Sequence, residues 1–116
     1  KEGLSKEQIR YYVERVFDYR LRRKIADLRP AYSFDVSCQG SVPEAIIAFL
    51  EGNDFEEVIR LAVSLGGDSD TIACMAGAIA ACKYSIPNEM AERCDEILTN
   101  DLRKIKDDFM RLLDGR

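Results

Sequence analysis

Apolar residues recur at spacings of three and four along most of the chain, the period of a helix with one buried face, and no strand pattern competes with it. Ser5-Lys6-Glu7-Gln8 has the form of a capping box, and Ile9, Tyr12, Val13, Val16 and Phe17 follow as one stripe. A first helix is therefore expected to about residue 17, with Tyr11 and Tyr12 half-buried. Leu21, Ile25 and Leu28 continue the period, with arginines opposite, until Arg29-Pro30 stops it. Residues 31–40 lack helical pattern, and aromatic Tyr32 and Phe34 alternate there with polar residues. A loop of this length in a small domain is often functional. Ser41-Val42-Pro43-Glu44 supplies a cap, an early proline and a capping-box glutamate for a helix that is apolar almost all round over residues 45–50, hence buried.

Gly52-Asn53 turns the chain, and Asp54 with Glu57 starts the next helix, whose Phe55, Val58, Ile59, Ala62 and Leu65 face inward until Gly66-Gly67. From Asp68 to about Tyr84 one side is nearly bare, with Ala73, Gly77, Ala80 and Ala81, so another backbone can approach and this helix should run through the centre. Pro87 opens a helix with Met90, Cys94, Ile97 and Leu98 inward; Asn100 caps a last one with Leu102, Ile105, Phe109 and Leu112 inward. The expected class is all-α, a compact multi-helix fold of six or seven helices, and 116 residues are sized for one domain.

Composition narrows the chemistry. The chain has no histidine, which removes Ser-His-Asp and Cys-His nucleophile pairs and any His-bearing zinc site from within it. The net charge of -4 argues against nucleic acid as a partner. Residues 31–70 are the acidic part, at net -7 from eight carboxylates and Arg60 alone, which suits either a solvated face or a bound cation. The basic run from Arg20 to Lys24 reads as solvent surface. Cys38, Cys74, Cys82 and Cys94 lack CxxC spacing and read as small buried hydrophobes of a reducing compartment. No apolar run reaches a membrane span, and the charged Lys1-Glu2 start is not a signal sequence, so a soluble cytoplasmic protein without a membrane partner is expected.

Leu65-Gly66-Gly67-Asp68-Ser69-Asp70-Thr71-Ile72 places two carboxylates and two hydroxyls within four positions, at the mouth of an oily helix. Paired glycines permit a turn with positive φ, so Asp68 and Asp70 can point the same way with the Thr71 hydroxyl beside them. Such hard oxygen donors suit Mg²⁺, Mn²⁺ or Ca²⁺. The commoner reading of an aspartate here is a helix cap. An EF-hand would need an oxygen ligand where Ile72 stands and a glycine where Ala73 stands, and a phosphate-cradling loop would need a lysine after its glycines.

Gly66-Gly67-Asp68-Ser69-Asp70-Thr71-Ile72-Ala73, followed by Met75-Ala76-Gly77-Ala78-Ile79-Ala80 and Ile86-Pro87, resembles the metal motif and following helix of the ADP-ribosylglycohydrolases, which include the dinitrogenase-reductase-activating glycohydrolases. Ser41-Val42-Pro43-Glu44-Ala45-Ile46 is similar to the preceding helix of that fold, and the likeness covers about residues 30–110. The resemblance implies a helical fold with two Mg²⁺ ions, Mn²⁺ being possible. They would bind the distal ribose while an activated water releases ADP-ribose from a protein or small conjugate. It makes Asp68, Asp70 and Thr71 metal ligands, Asp70 at the bridging position, and Val36, Ser37 and Cys38 contacts for the adenosine end. The family's further acidic-hydroxyl cluster, acid/base carboxylate and phosphate-binding glycines have no counterpart in residues 1–35. Residues 1–116 are thus expected to be the C-terminal segment of such a domain, with no catalytic residue assigned within them, an exposed apolar surface and a tendency to self-associate. The alternative is a non-catalytic helical packing module or a degenerate relative.

Overall fold

The computed structural model describes residues 3–115; Lys1, Glu2 and Arg116 lie outside the described residues, and with them the Lys1-Glu2 start read against a signal sequence. Among the described residues the chain is all-α, with α1 (Lys6–Phe17), α2 (Ile25–Leu28), α3 (Cys38–Glu51), α4 (Phe55–Ser64), α5 (Ser69–Ala81), α6 (Asn88–Ile97) and α7 (Asn100–Asp114). It divides into two units, Lys1–Ser85 and Ile86–Arg116.

In the first unit α5 packs against both α3 and α4, as its small residues require. A Cβ at Gly77 would stand 2.9 Å from Ile59 Cδ1, so glycine there lets α4 close on α5. Phe49, Ile47, Ile72, Val58 and Ile25 are the largest fully buried side chains. Burial of each is worth about 1.5–3 kcal/mol before the entropy of ordering is charged against it. Two polar clamps hold the periphery. Lys6 donates to the Gly52 carbonyl with its ammonium over the Phe49 and Tyr84 rings, at 5.3 and 5.4 Å. Glu51 Oε2 accepts the Ile25 N–H at 3.0 Å, capping α2 from α3.

The Ser5–Gln8 capping box forms and α1 ends at Phe17, as expected. The helix does not resume directly: Asp18 takes the left-handed conformation at φ 56°, and only four residues, Ile25–Leu28, return to helix. Tertiary ties outweigh the local period here, because Leu21 is buried with its N–H on Glu14 Oε1 at 3.0 Å. The basic run is correspondingly irregular rather than a helix face, and Arg23 is drawn into an ion pair with Glu44.

α3 begins a turn earlier than Ser41. Asp35 Oδ1 accepts the Ser37 N–H at 2.8 Å, and Ser37 Oγ accepts the Gly40 N–H at 3.1 Å and caps the helix. Ser41 is instead interior and buried, its hydroxyl donating to the Ser37 carbonyl at 2.7 Å, and Pro43 lies inside the helix. The sequence signal was ambiguous because either serine can cap, and the turn set by Asp35 decides between them.

Three burial expectations are corrected. Tyr11 and Tyr12 are 62% and 60% exposed. All four cysteines are exposed free thiols, Cys74 on α5 and Cys82 at its C-cap. In the second unit Cys94, Ile97, Leu102, Ile105, Phe109 and Leu112 are exposed, since two helices offer too little surface to bury two apolar stripes. Polar ties hold that hairpin: the Arg103 guanidinium bonds the Asp95 and Leu98 carbonyls, and Lys106 pairs with Asp95. Thr99, not Asn100, stands at the N-cap of α7. Exposed apolar residues do occur, on α1 and α7 and also at Phe34, Val36, Val63 and Ile97, while α3 and α5 bury their faces against each other and α4. No helix among the described residues is long and apolar enough to cross a membrane.

Candidate metal centre

The turn between α4 and α5 is built by two consecutive glycines in the left-handed region, Gly66 at φ 74° and Gly67 at φ 62°. They reverse the chain in two residues and deliver Asp68 to the N-cap position of α5. An aspartate there ordinarily accepts a helical N–H. Ser5, Ser37 and Asp54 do so at the starts of α1, α3 and α4. Asp68 makes no such bond. Its neighbour is Asp70, whose carboxyl is held below the ordinary carboxylate value, first by a hydrogen bond shared with the Asp68 carboxyl and then by the Thr71 N–H, 3.0 Å from Asp70 Oδ1.

Two carboxyl groups within hydrogen-bond reach, with the exposed Thr71 one residue on, form a small set of hard oxygen donors. Like charges this close are relieved by a shared proton or by a cation. The donor chemistry fits Mg²⁺ or Mn²⁺, and the donor number fits only part of a site, since among the described residues no three His, Cys, Asp or Glu side chains gather around one point.

Beside this turn lies Tyr32. A Cβ at Gly67 would stand 2.6 Å from Tyr32 Cε1 and 3.1 Å from the Ser33 carbonyl oxygen, so only glycine admits the ring. The phenol donates to the Gly40 carbonyl at 2.6 Å, on the first turn of α3. Burial, then the charges of Glu44, Asp35 and Asp68, push the phenol pKa up and keep it a donor. Asp35 in turn lies against Gly40, where a Cβ would collide with its carboxylate. Beneath them Glu44 is buried, with Oε1 2.9 Å from the Arg23 guanidinium and Oε2 without a partner.

Val36, Ser37 and Cys38 are contiguous and exposed where α3 begins. Val36 is 72% exposed, the Ser37 hydroxyl is occupied as the cap, and Cys38 is the first helical residue rather than part of the loop. Through Tyr32 this segment and the Asp68–Thr71 cluster are brought to the same end of α3 and α5. From sequence Glu44 reads as a capping-box glutamate and Arg23 as solvent surface, whereas Glu44 is inside α3 and pairs with Arg23; the aromatic alternation of the loop is the one signal for Tyr32.

Helices enclosing an apolar core, with paired carboxylates and a hydroxyl at the mouth of the central one, define a helical protein with a hard-oxygen site. The chain belongs to the ADP-ribosylglycohydrolase family, which matches residues 4–116. ADP-ribosylhydrolase ARH3 of Homo sapiens is 34% identical over 84 residues, covering 56% of this chain and 23% of its own. ADP-ribosylhydrolase ARH3 of Danio rerio is 42% identical over 71 residues, covering 49% and 19%. An uncharacterised protein of Archaeoglobus fulgidus is 41% identical over 58 residues, covering 49% and 19%. The chain thus spans about a fifth of the length of these relatives. No solved structure matches it significantly.

Proposed function

We propose that this chain contributes the C-terminal ligands, Asp68, Asp70 and Thr71, of a two-ion Mg²⁺ site in a hydrolase that cleaves the glycosidic bond between ADP-ribose and a modified acceptor. The observation that carries the reading is the Asp68 carboxyl: at a position where capping is the ordinary use of aspartate, it makes no cap bond and interacts with Asp70 instead. Family membership and the relatives named ADP-ribosylhydrolase support the class of reaction. Divalent ions in such a site would hold the ribose hydroxyls and lower the pKa of a water for attack at the anomeric carbon. Asp70, exposed and ionised at ordinary pH, is suited to the bridging position, with Asp68 and the Thr71 hydroxyl flanking it. Exposed Val36 and the neighbouring Ser37 and Cys38 would meet the adenosine end of the substrate.

Three donors cannot complete two six-coordinate ions, so the remaining ligands and the acid/base carboxylate would come from polypeptide beyond these residues. The 116 residues alone are then expected to bind Mg²⁺ weakly and to show no turnover. The shortage of a third acidic ligand equally favours a second reading, a non-catalytic helical module of the same family. Calorimetric Mg²⁺ titration of the protein carrying this chain, wild type against Asp70→Ala, separates the two. Loss of binding in the variant supports the metal site, and equal heats in both support the module.

A further inference from the structure

We propose that Tyr32 is the positioning residue of the Asp68–Asp70 pair. The inference rests on the reading of those aspartates as ligands only for its functional consequence; its geometry stands apart. Asp68 is not held by the helix it starts, because it makes no cap bond, so its direction is set by the backbone of the two glycines before it. Glycine restrains backbone less than any other residue, and Gly66 has nothing within 4 Å of where a side chain would begin. The tertiary restraint on the turn falls at Gly67, where the Tyr32 ring and the Ser33 carbonyl fill the space a Cβ would take. That ring is itself fixed at both ends. Its backbone N–H bonds the Leu28 carbonyl at 2.9 Å and its hydroxyl bonds the Gly40 carbonyl at 2.6 Å. Tyr32 is therefore a strut between the start of α3 and the acidic turn, and it fixes where both carboxylates stand.

The test uses amide exchange in the 116-residue chain, comparing Ile72, whose N–H bonds the Asp68 carbonyl at 3.0 Å, with Val58, whose N–H bonds the Asp54 carbonyl at 3.1 Å and reports stability away from the turn. Tyr32→Leu is expected to accelerate exchange at Ile72 about tenfold more than at Val58, and Tyr32→Phe, which keeps the ring and loses the anchor, about threefold more. Equal acceleration at the two amides overturns the inference. If Tyr32→Leu does not fold, the Tyr32→Phe comparison decides it by the same criterion. Mn²⁺ titration of the same samples, read as paramagnetic broadening of the amides of residues 68–71, gives the functional arm. A midpoint raised at least about fivefold in Tyr32→Leu and little changed in Tyr32→Phe supports positioning of ligands, and unchanged midpoints overturn it. Absence of broadening in the wild type counts against the metal reading, and the exchange arm still decides the strut.

Discussion

The Arg23 guanidinium lies 2.9 Å from Glu44 Oε1, and the other oxygen of that carboxylate is buried with no hydrogen-bond partner. The pair is lopsided, since the Arg23 side chain is 37% exposed and that of Glu44 is 5% exposed. Removing the arginine strands a buried charge, whereas removing the charge frees an arginine that can turn to water. Arg23→Ala is expected to cost about 2–3 kcal/mol in urea denaturation and Glu44→Gln about 1 kcal/mol. The double variant should be more stable than Arg23→Ala alone; the opposite order would show that Glu44 is not compensated by Arg23.

Gly66 and Gly67 have the same sign of φ and different surroundings, and this separates backbone cost from packing cost. Alanine at either position pays about 1–2 kcal/mol for the left-handed region. Alanine at 67 must also displace the Tyr32 ring, so Gly67→Ala is expected to exceed Gly66→Ala by about 1 kcal/mol or more in denaturant midpoints. Equal costs would mean that the ring yields freely.

The parts of the fold set by local chemistry were legible in the sequence. The Ser5–Gln8 box, the Asp54 cap, the glycine turn and the central small-residue helix all stand where pattern and capping rules place them. What escaped depends on side-chain partners that the periodic pattern does not weigh. Leu21 is pulled from the helical period by Glu14 and by the core, Asp35 moves the start of α3 forward to Ser37, and Glu44 draws Arg23 out of the basic run. At the candidate site the residue types and their spacing were legible, and the orientation was not. No spacing rule distinguishes an Asp68 that caps from one that turns to Asp70, and none points to Tyr32 across the intervening helices.

Asp35 gives the start of α3 a pH dependence. Hydrogen bonds from the Ser37 hydroxyl and N–H hold its carboxyl below the ordinary value of 3.8. A carboxylate whose pKa is lower in the fold contributes stability that is fully present above the unfolded value and is lost as pH falls through the folded one. Lowering the pH from about 5 to about 2 should therefore loosen the N-terminus of α3, read as a lower protection of the Gly40 amide relative to its intrinsic exchange rate at each pH. Asp35→Asn should exchange faster already at pH 5 and respond less to acid. A wild-type response no larger than that of the variant would remove Asp35 from the account.

Asp54 and Asp68 occupy the same position at the starts of successive helices, yet only Asp54 accepts a backbone N–H, that of Glu57 at 2.7 Å. If an aspartate is placed for its own helix, its loss should cost stability, and Asp54→Ala is expected to lose about 1 kcal/mol in urea. If it is placed for a ligand, its loss should cost binding and leave stability nearly intact. Asp68→Ala is accordingly expected to unfold within about 0.5 kcal/mol of the wild type while weakening Mn²⁺ broadening of the neighbouring amides. A loss as large as that of Asp54→Ala, with no change in Mn²⁺ response, would return Asp68 to the role of an ordinary helix cap.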